Sequence, residues 1–164
     1  MTYALEEEYT EGLDFDHKKL YQQAVDTVLD HLHCPYEACV SLLLTNDEEI
    51  KKINSETRHL AVATDVLSFP MNEFKEAGVF DQACEDQYTY DPDSGELLLG
   101  DIVLSTEHVL QNAAEFGHSV EREYAFLIVH SMLHLTGFDH IEESDRIRME
   151  TVQNDIMQIL GISR

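Results

Sequence analysis

Three histidines in the run His130-Ser-Met-Leu-His134-Leu-Thr-Gly137-Phe-Asp-His140 have the residue type and the spacing of a metal site. His130 and His134 are four apart in a segment whose apolar periodicity predicts a helix, so their rings leave one face with Cβ atoms about 5–6 Å apart. From there two imidazole nitrogens can reach one ion at about 2.0–2.1 Å each. Thr136-Gly137 predicts the end of that helix, because glycine takes the left-handed cap conformation without a Cβ penalty. The chain then turns back and can bring His140 as a third nitrogen ligand. Three protein ligands leave a fourth position for water, the coordination of a catalytic zinc rather than a closed structural one. The chemistry implied is metal-activated hydrolysis with one Zn2+ per chain.

The same spacing, H-x3-H-x2-G-x2-H, occurs in metalloproteases of the pattern H-E-x-x-H-x-x-G-x-x-H, where the Glu after the first His is the general base. Here that position is Ser131, whose hydroxyl is far too weak a base near neutral pH. The ligand set matches a protease and the base does not.

Composition narrows the classes. At 164 residues, 43% hydrophobic and 26% charged, the chain is predicted to be a single metallohydrolase domain over 1–164 with its own core. No run of about 18 apolar residues occurs, and Met1–Glu8 lacks the basic and apolar regions of an export signal. Cys34, Cys39 and Cys84 form no C-x-x-C pair, which suits a reducing compartment and argues against thiolate ligation. The expectation is a cytoplasmic protein with no membrane partner. A net charge of −23 with ten Lys and Arg excludes a broad phosphate-tracking groove. A small positive focus around a metal ion and one or two arginines remains compatible with it.

The elements that must position the histidines can be read from pattern and caps. A first strand is predicted within 2–9. A helix from Asp14 or Asp16 to about Leu32 carries Leu20, Ala24, Val25 and Val28 on one face. Glu37–Leu44 is a buried strand, and Asn46 with Glu49 three residues on starts a helix. Thr64–Pro70 is a short strand stopped by proline. Residues 71–96, acidic and with the turn-like Asp91-Pro-Asp-Ser-Gly95, are expected to be a solvated surface excursion. Leu97–Leu104 returns as a strand with Gly100 a bulge candidate. Helices follow from Ser105 to Phe116, from Ser119 through the histidines, and from Glu142 to Leu160, the last with Ile147, Val152, Ile156 and Ile159 predicted inward. The fold class is α+β, a small mixed sheet of about four strands packed with about five helices.

Two further segments join the histidine run to make a resemblance. Arg58, six residues before Thr64-Asp-Val-Leu-Ser-Phe-Pro70, and Gly100-Asp-Ile-Val-Leu-Ser105, with the Glu121-Arg-Glu123 lead-in, resemble the YbeY family of bacterial endoribonucleases over about residues 40–160. The resemblance implies a zincin-like fold and a single-strand endoribonuclease. Its role would be in ribosomal RNA maturation, notably at the 3′ end of the small-subunit RNA, and in ribosome quality control. By position it makes His130, His134 and His140 the zinc ligands and Arg58 the functional arginine. The family usually has Gly where this chain has Ser131. The acidity suggests that ribosomal RNA is presented by the small subunit or by ribosome-associated proteins.

Other residues keep two readings at this point. Asp139 can orient a ligand imidazole from behind or cap the turn. Asp65, Asp101 and Ser68 suit turns, caps or sheet edges, and His31, His33, His59, His108 and His118 suit surface or helix-end positions. Two other functions stand beside the endoribonuclease: a zinc peptidase, and a non-catalytic ribosome-assembly factor with a structural metal.

Overall fold

The computed structural model describes residues 1–162. Its elements run β1 (Thr2–Glu7), α1 (His17–His31), β2 (Ala38–Thr45), α2 (Asp47–Arg58), β3 (Val66–Pro70), a 3-10 turn (Gln82–Gln87), β4 (Leu97–Ser105), α3 (Thr106–Phe116), α4 (Val120–Leu135) and α5 (Glu143–Leu160). Four of the polar residues expected at helix starts cap them, while Glu142 at the start of α5 makes no side-chain cap bond. Asp16 accepts from the Lys19 N–H at 3.1 Å, Asn46 from Glu49 at 2.9 Å, Ser105 from His108 at 3.3 Å and Ser119 from Arg122 at 3.1 Å.

The four strands form one mixed sheet in the order β1-β2-β4-β3. β1, β2 and β4 are parallel, and the short β3 runs antiparallel to β4 at the edge. Alternation along β2 turns Ala38, Val40, Leu42 and Leu44 into the main core, against α1 and α4. On the opposite face α2 covers a smaller cluster through Ile50, with Leu67 and Val103.

β4 contains the bulge. Cys39 pairs with Leu98 but Val40 pairs with Gly100, so Leu99 is an extra residue. The core positions of β4 accordingly switch from Leu97 and Leu99 to Ile102 and Leu104. Without the extra residue, the second half of β4 would turn its apolar side chains to the wrong face.

α4 is buried along nearly its whole length, including Tyr124, Leu127, Ile128, Met132 and Leu135. Its first turn is anchored by a buried pair, Glu123 with His118 at 3.0 Å. The Asn112 amide reaches both Glu123 at 3.4 Å and Asp65 at 3.3 Å, so one side chain ties α3 and α4 to the entrance of β3. His118, between the C-cap Gly117 of α3 and the N-cap Ser119 of α4, is a helix-end residue that is half-buried and paired.

Two expectations need correction. Segment 71–96 leaves the sheet, and Glu85, Asp86 and Asp93 do face solvent. Its aromatic residues do not: Phe74, Phe80, Tyr88 and Tyr90 form edge and tilted contacts with one another and with Tyr36, and Cys84 is 6% exposed. The acidic composition concealed an aromatic spacing that packs onto the core. In α5, Ile147 and Ile159 are exposed, while Met149, Gln153, Ile156 and Met157 face inward. Ile156 is buried and Val152 packs against the core as expected, but the inward stripe also includes a glutamine, so hydrophobic periodicity placed the face only in part.

Gly100 has φ +141°, and a Cβ there would stand 2.2 Å from the Phe69 carbonyl oxygen. Gly95, at φ +75°, has open space around it. Gly100→Ala should therefore lower stability by on the order of 3 kcal/mol or more, through backbone clash plus strain. Gly95→Ala should cost about 1–2 kcal/mol, from strain alone. Urea unfolding of the two variants checks this; equal losses would mean that β3 can move away from Gly100 at little cost.

Candidate metal centre

The centre is assembled from the last two turns of α4, the turn after it, the edge strand β3 and the C-terminus of α2. Gly137 makes the turn possible. Its φ is +97°, and a Cβ would lie 2.6 Å from the Phe74 Cβ, so position 137 needs both the positive φ and the missing side chain. The Gly78 N–H donates to the Thr136 carbonyl at 2.8 Å, and Arg148 donates to the Ala77 carbonyl at 3.0 Å while lying over the Phe138 ring. Segment 71–96 and α5 therefore clasp the turn that presents His140.

The three rings converge. Centroid separations are 4.7 Å for His130–His134, 5.1 Å for His134–His140 and 5.8 Å for His130–His140. One ring nitrogen from each lies within 4.8 Å of the others, so the group could hold a metal ion.

Hydrogen bonding decides which nitrogens are free. His134 Nδ1 is 3.0 Å from the Phe138 carbonyl, which can only accept, so Nδ1 carries the proton. Gln153 Nε2 donates to the Phe126 carbonyl at 3.1 Å, which leaves Gln153 Oε1 to face His130 Nδ1 at 3.3 Å and makes that nitrogen a donor too. Both Nε2 atoms then carry lone pairs, and they face each other at 3.1 Å. Two tetrahedral bonds of about 2.0–2.1 Å would place such nitrogens roughly 3.3 Å apart, so the pair fits one cation.

Burial, the largest influence, and the facing His130 ring push His134 down from 6.5 to about 4. His130 is also lowered, chiefly by burial. Neutral imidazoles are the form that binds metal.

A cavity of about 720 Å³ opens over the rings and is lined also by Arg58, Asp65, Ser68, Pro70 and Asp139. Arg58 is exposed at the end of α2, where His59 takes a left-handed cap with φ 58°, and among the described residues it forms no ion pair. Ser131 is fully buried and its hydroxyl is 2.5 Å from that of Ser68, so it pins α4 to β3. Asp139 accepts from the Ile141 N–H at 3.2 Å, the turn-capping role; the Nδ1 atoms of His130 and His134 bond to Gln153 and Phe138 instead. Asp65 accepts from the Val66 N–H at 2.8 Å, and Asp101 bonds Ser41 at the sheet surface. Arg122 is turned away, donating to the Ile162 carbonyl at 2.8 Å.

A family model described as Endoribonuclease YbeY matches residues 4–161. The chain belongs to the YbeY endoribonuclease family. Proteins named Endoribonuclease YbeY from Lachnoclostridium phytofermentans and Agathobacter rectalis are 48% and 44% identical to it over 165 aligned positions, covering 100% of both chains in each comparison. The solution structure of TM1509 from Thermotoga maritima shares the fold, with a TM-score of 0.59 over 96% of this chain and 87% of that one at 23% identity.

Sequence reasoning did not find Gln153 or Asn112. Both lie on other helices than the groups they hold, and neither has motif spacing.

Two expectations follow for the purified protein. His130→Ala and His134→Ala should each lose a bound equivalent of divalent metal and His140→Ala should bind it more weakly, as elemental analysis would show. Stoichiometric metal in all three would move the site elsewhere. The second concerns pH. A folded pKa near 4 against 6.5 unfolded means that the unfolded chain takes up the proton first, so the stability due to neutral His134 is full above 6.5 and lost as pH falls toward 4. The melting temperature of metal-free protein should drop across that window more steeply in wild type than in His134→Ala. Parallel profiles would show a ring as hydrated in the fold as out of it.

Proposed function

We propose that this chain is a zinc-dependent, single-strand-directed endoribonuclease that matures ribosomal RNA, with the small-subunit 3′ end as its principal target. That it is an endoribonuclease follows from family membership over almost its whole length. The observation that carries the zinc reading is the pair of Nε2 lone pairs facing at 3.1 Å, with His140 on the third side. His130, His134 and His140 would hold the ion, an all-nitrogen donor set that suits zinc. Such an ion, when bound, lowers the pKa of water and polarises a phosphoryl oxygen.

The chain's own residues supply the rest. Arg58 has an uncommitted guanidinium on the rim of the same cavity, and two of its N–H groups can donate to the non-bridging oxygens of a phosphodiester as charge builds on them. The Ser68–Ser131 hydroxyl pair holds β3 against α4 and so keeps the cavity wall in place.

The acidity bears on delivery. Of the ten Lys and Arg, Arg146 pairs with Glu143 and Glu150, Arg148 pairs with Glu76, and Arg122 is spent on a carbonyl. Among the described residues Arg58 is the one Lys or Arg that lines the cavity over the rings, which supports weak capture of free RNA and presentation of the substrate by the small ribosomal subunit or its associated proteins, in the cytoplasm. The peptidase reading has less support, because the position that carries its base is Ser131, buried and bonded to Ser68.

The test is Arg58→Ala at matched zinc content. Fold and metal should be unchanged while RNA cleavage falls by about 10²–10³, the usual cost of one preorganised donor. Arg58→Lys should rescue poorly, since an ammonium lacks the planar two-donor fork. Wild-type activity in Arg58→Ala would make the arginine a bystander, and peptide cleavage without RNA cleavage would revive the protease.

A further inference from the structure

We propose that Gln153 is a positioning residue of the metal centre: its buried amide holds His130 in the tautomer that aims Nε2 at the ion. The proposal rests on the metal reading of the three histidines and adds to it a group from a different helix.

Gln153 is 4% exposed, within the inward stripe of Met149, Ile156 and Met157. A leucine or methionine there would satisfy packing alone. Instead the position carries one donor and one acceptor, and each has a matched partner. Nε2 donates to the Phe126 carbonyl at 3.1 Å, and Oε1 lies 3.3 Å from His130 Nδ1. Phe126 is one turn before His130 on α4, so the amide spans the backbone below the ring and the ring itself. The Phe126 ring lies nearly parallel to that of His130, with 15° between the planes. His130 thus has the amide along one edge and a near-parallel aromatic ring beside it, with centroids 6.4 Å apart.

The chemical match is specific. A free neutral imidazole can place its proton on either nitrogen. A proton on Nε2 of His130 would point at His134 Nε2 and block the metal position. An acceptor at Nδ1 selects the other tautomer, and such outer partners commonly change metal affinity by about 10–100-fold. A carboxylate in place of the amide would still accept from Nδ1, but its second oxygen would meet the Phe126 carbonyl with no proton between them. The amide is the group that serves both partners.

His134 needs no such helper. Its Nδ1 donates to the Phe138 carbonyl, four residues on in the same turn. His130 lies mid-helix, where nearby carbonyls are engaged in the helix ladder, so its acceptor has to come from α5. Docking of α5 and competence of the metal centre are thereby linked.

Two substitutions separate positioning from packing. Gln153→Leu keeps the volume roughly and removes both hydrogen bonds. Gln153→Glu keeps the acceptor for Nδ1 and introduces an uncompensated buried oxygen. The measurements are zinc affinity by chelator competition at neutral pH, the His130 tautomer from long-range 1H–15N ring correlations in metal-free protein, and melting temperature with and without zinc. Positioning predicts a crossing of the two orders. Without metal, Gln153→Leu is the more stable variant. With zinc, Gln153→Leu binds about 10–100-fold more weakly than wild type, whereas Gln153→Glu binds more tightly than Gln153→Leu and shows the larger zinc-induced rise in melting temperature. The His130 Nδ1–H signature should be present in wild type and Gln153→Glu and lost in Gln153→Leu.

Unchanged zinc affinity and tautomer in Gln153→Leu would overturn the proposal. So would an Nε2–H tautomer for His130 in the wild type, which can be read even if a variant fails to fold. Zinc binding by Gln153→Glu no better than by Gln153→Leu would also overturn it. Stoichiometric zinc in His134→Ala is a separate failure, of the metal reading itself.

Discussion

Two imidazole nitrogens held at 3.1 Å with lone pairs toward each other form an arrangement that water would ordinarily break up. Keeping it requires that both rings be neutral, that both protons sit on the far nitrogens, and that neither ring rotate away. Burial meets the first requirement and hydrogen bonds to Phe138 and Gln153 meet the other two. Each depends on α4 being enclosed. A helix that is apolar around most of its circumference is stable only when it is covered on several sides. The sheet, α1, α3 and α5 provide that cover, and the rings emerge at the one end that β3 and the following turn leave open.

The bulge in β4 belongs to the same arrangement. By adding Leu99 it restores the inward face of the strand's second half and puts Gly100 where β3 must approach closely. Pro70 ends β3 opposite that glycine, and the Ser68 hydroxyl two residues earlier reaches Ser131 on α4. A hydroxyl beside His130 thus does mechanical work, joining the edge strand to the histidine helix. A carboxylate at that position could not make the same pairing with a serine without carrying its charge into a fully buried site.

Much of this was legible in the chain itself. Helix starts follow from Asp16, Asn46, Ser105 and Ser119, because a side-chain cap is a local contact. The three histidines follow from helical spacing and a glycine stop, which are also local. What escaped was non-local or masked by composition. Gln153 meets His130 across 23 residues, and Asn112 meets Asp65 across 47. Neither partner can be inferred from a residue type that is ordinarily exposed. In segment 71–96 the acids dominate the composition while the spacing of Phe74, Phe80 and Tyr88 decides the packing. In α5 a hydrogen-bonded glutamine occupies a core position, which rotates the buried face away from Ile147 and Ile159.

The charge of the chain and the chemistry of its centre act at different ranges. At −23 the surface repels a polyanion in solution, but salt screens that repulsion beyond about 8 Å. Inside the cavity the relevant charges are few and close: neutral imidazoles, a cation when one is held, Arg58 with no carboxylate partner among the described residues, and the carboxylates of Asp65, Glu73 and Asp139 on the wall. A phosphodiester that reaches this spot meets the Arg58 guanidinium, and an ion when one is held, within a wall that also carries carboxylates. One that does not reach it has little to hold it, since Arg146 and Arg148 are already matched by Glu143, Glu150 and Glu76. Affinity for a phosphate backbone grows with the number of charges neutralised along it, and this surface offers few. Discrimination among strands therefore has to come from what brings a phosphodiester to the cavity rather than from a groove that follows it.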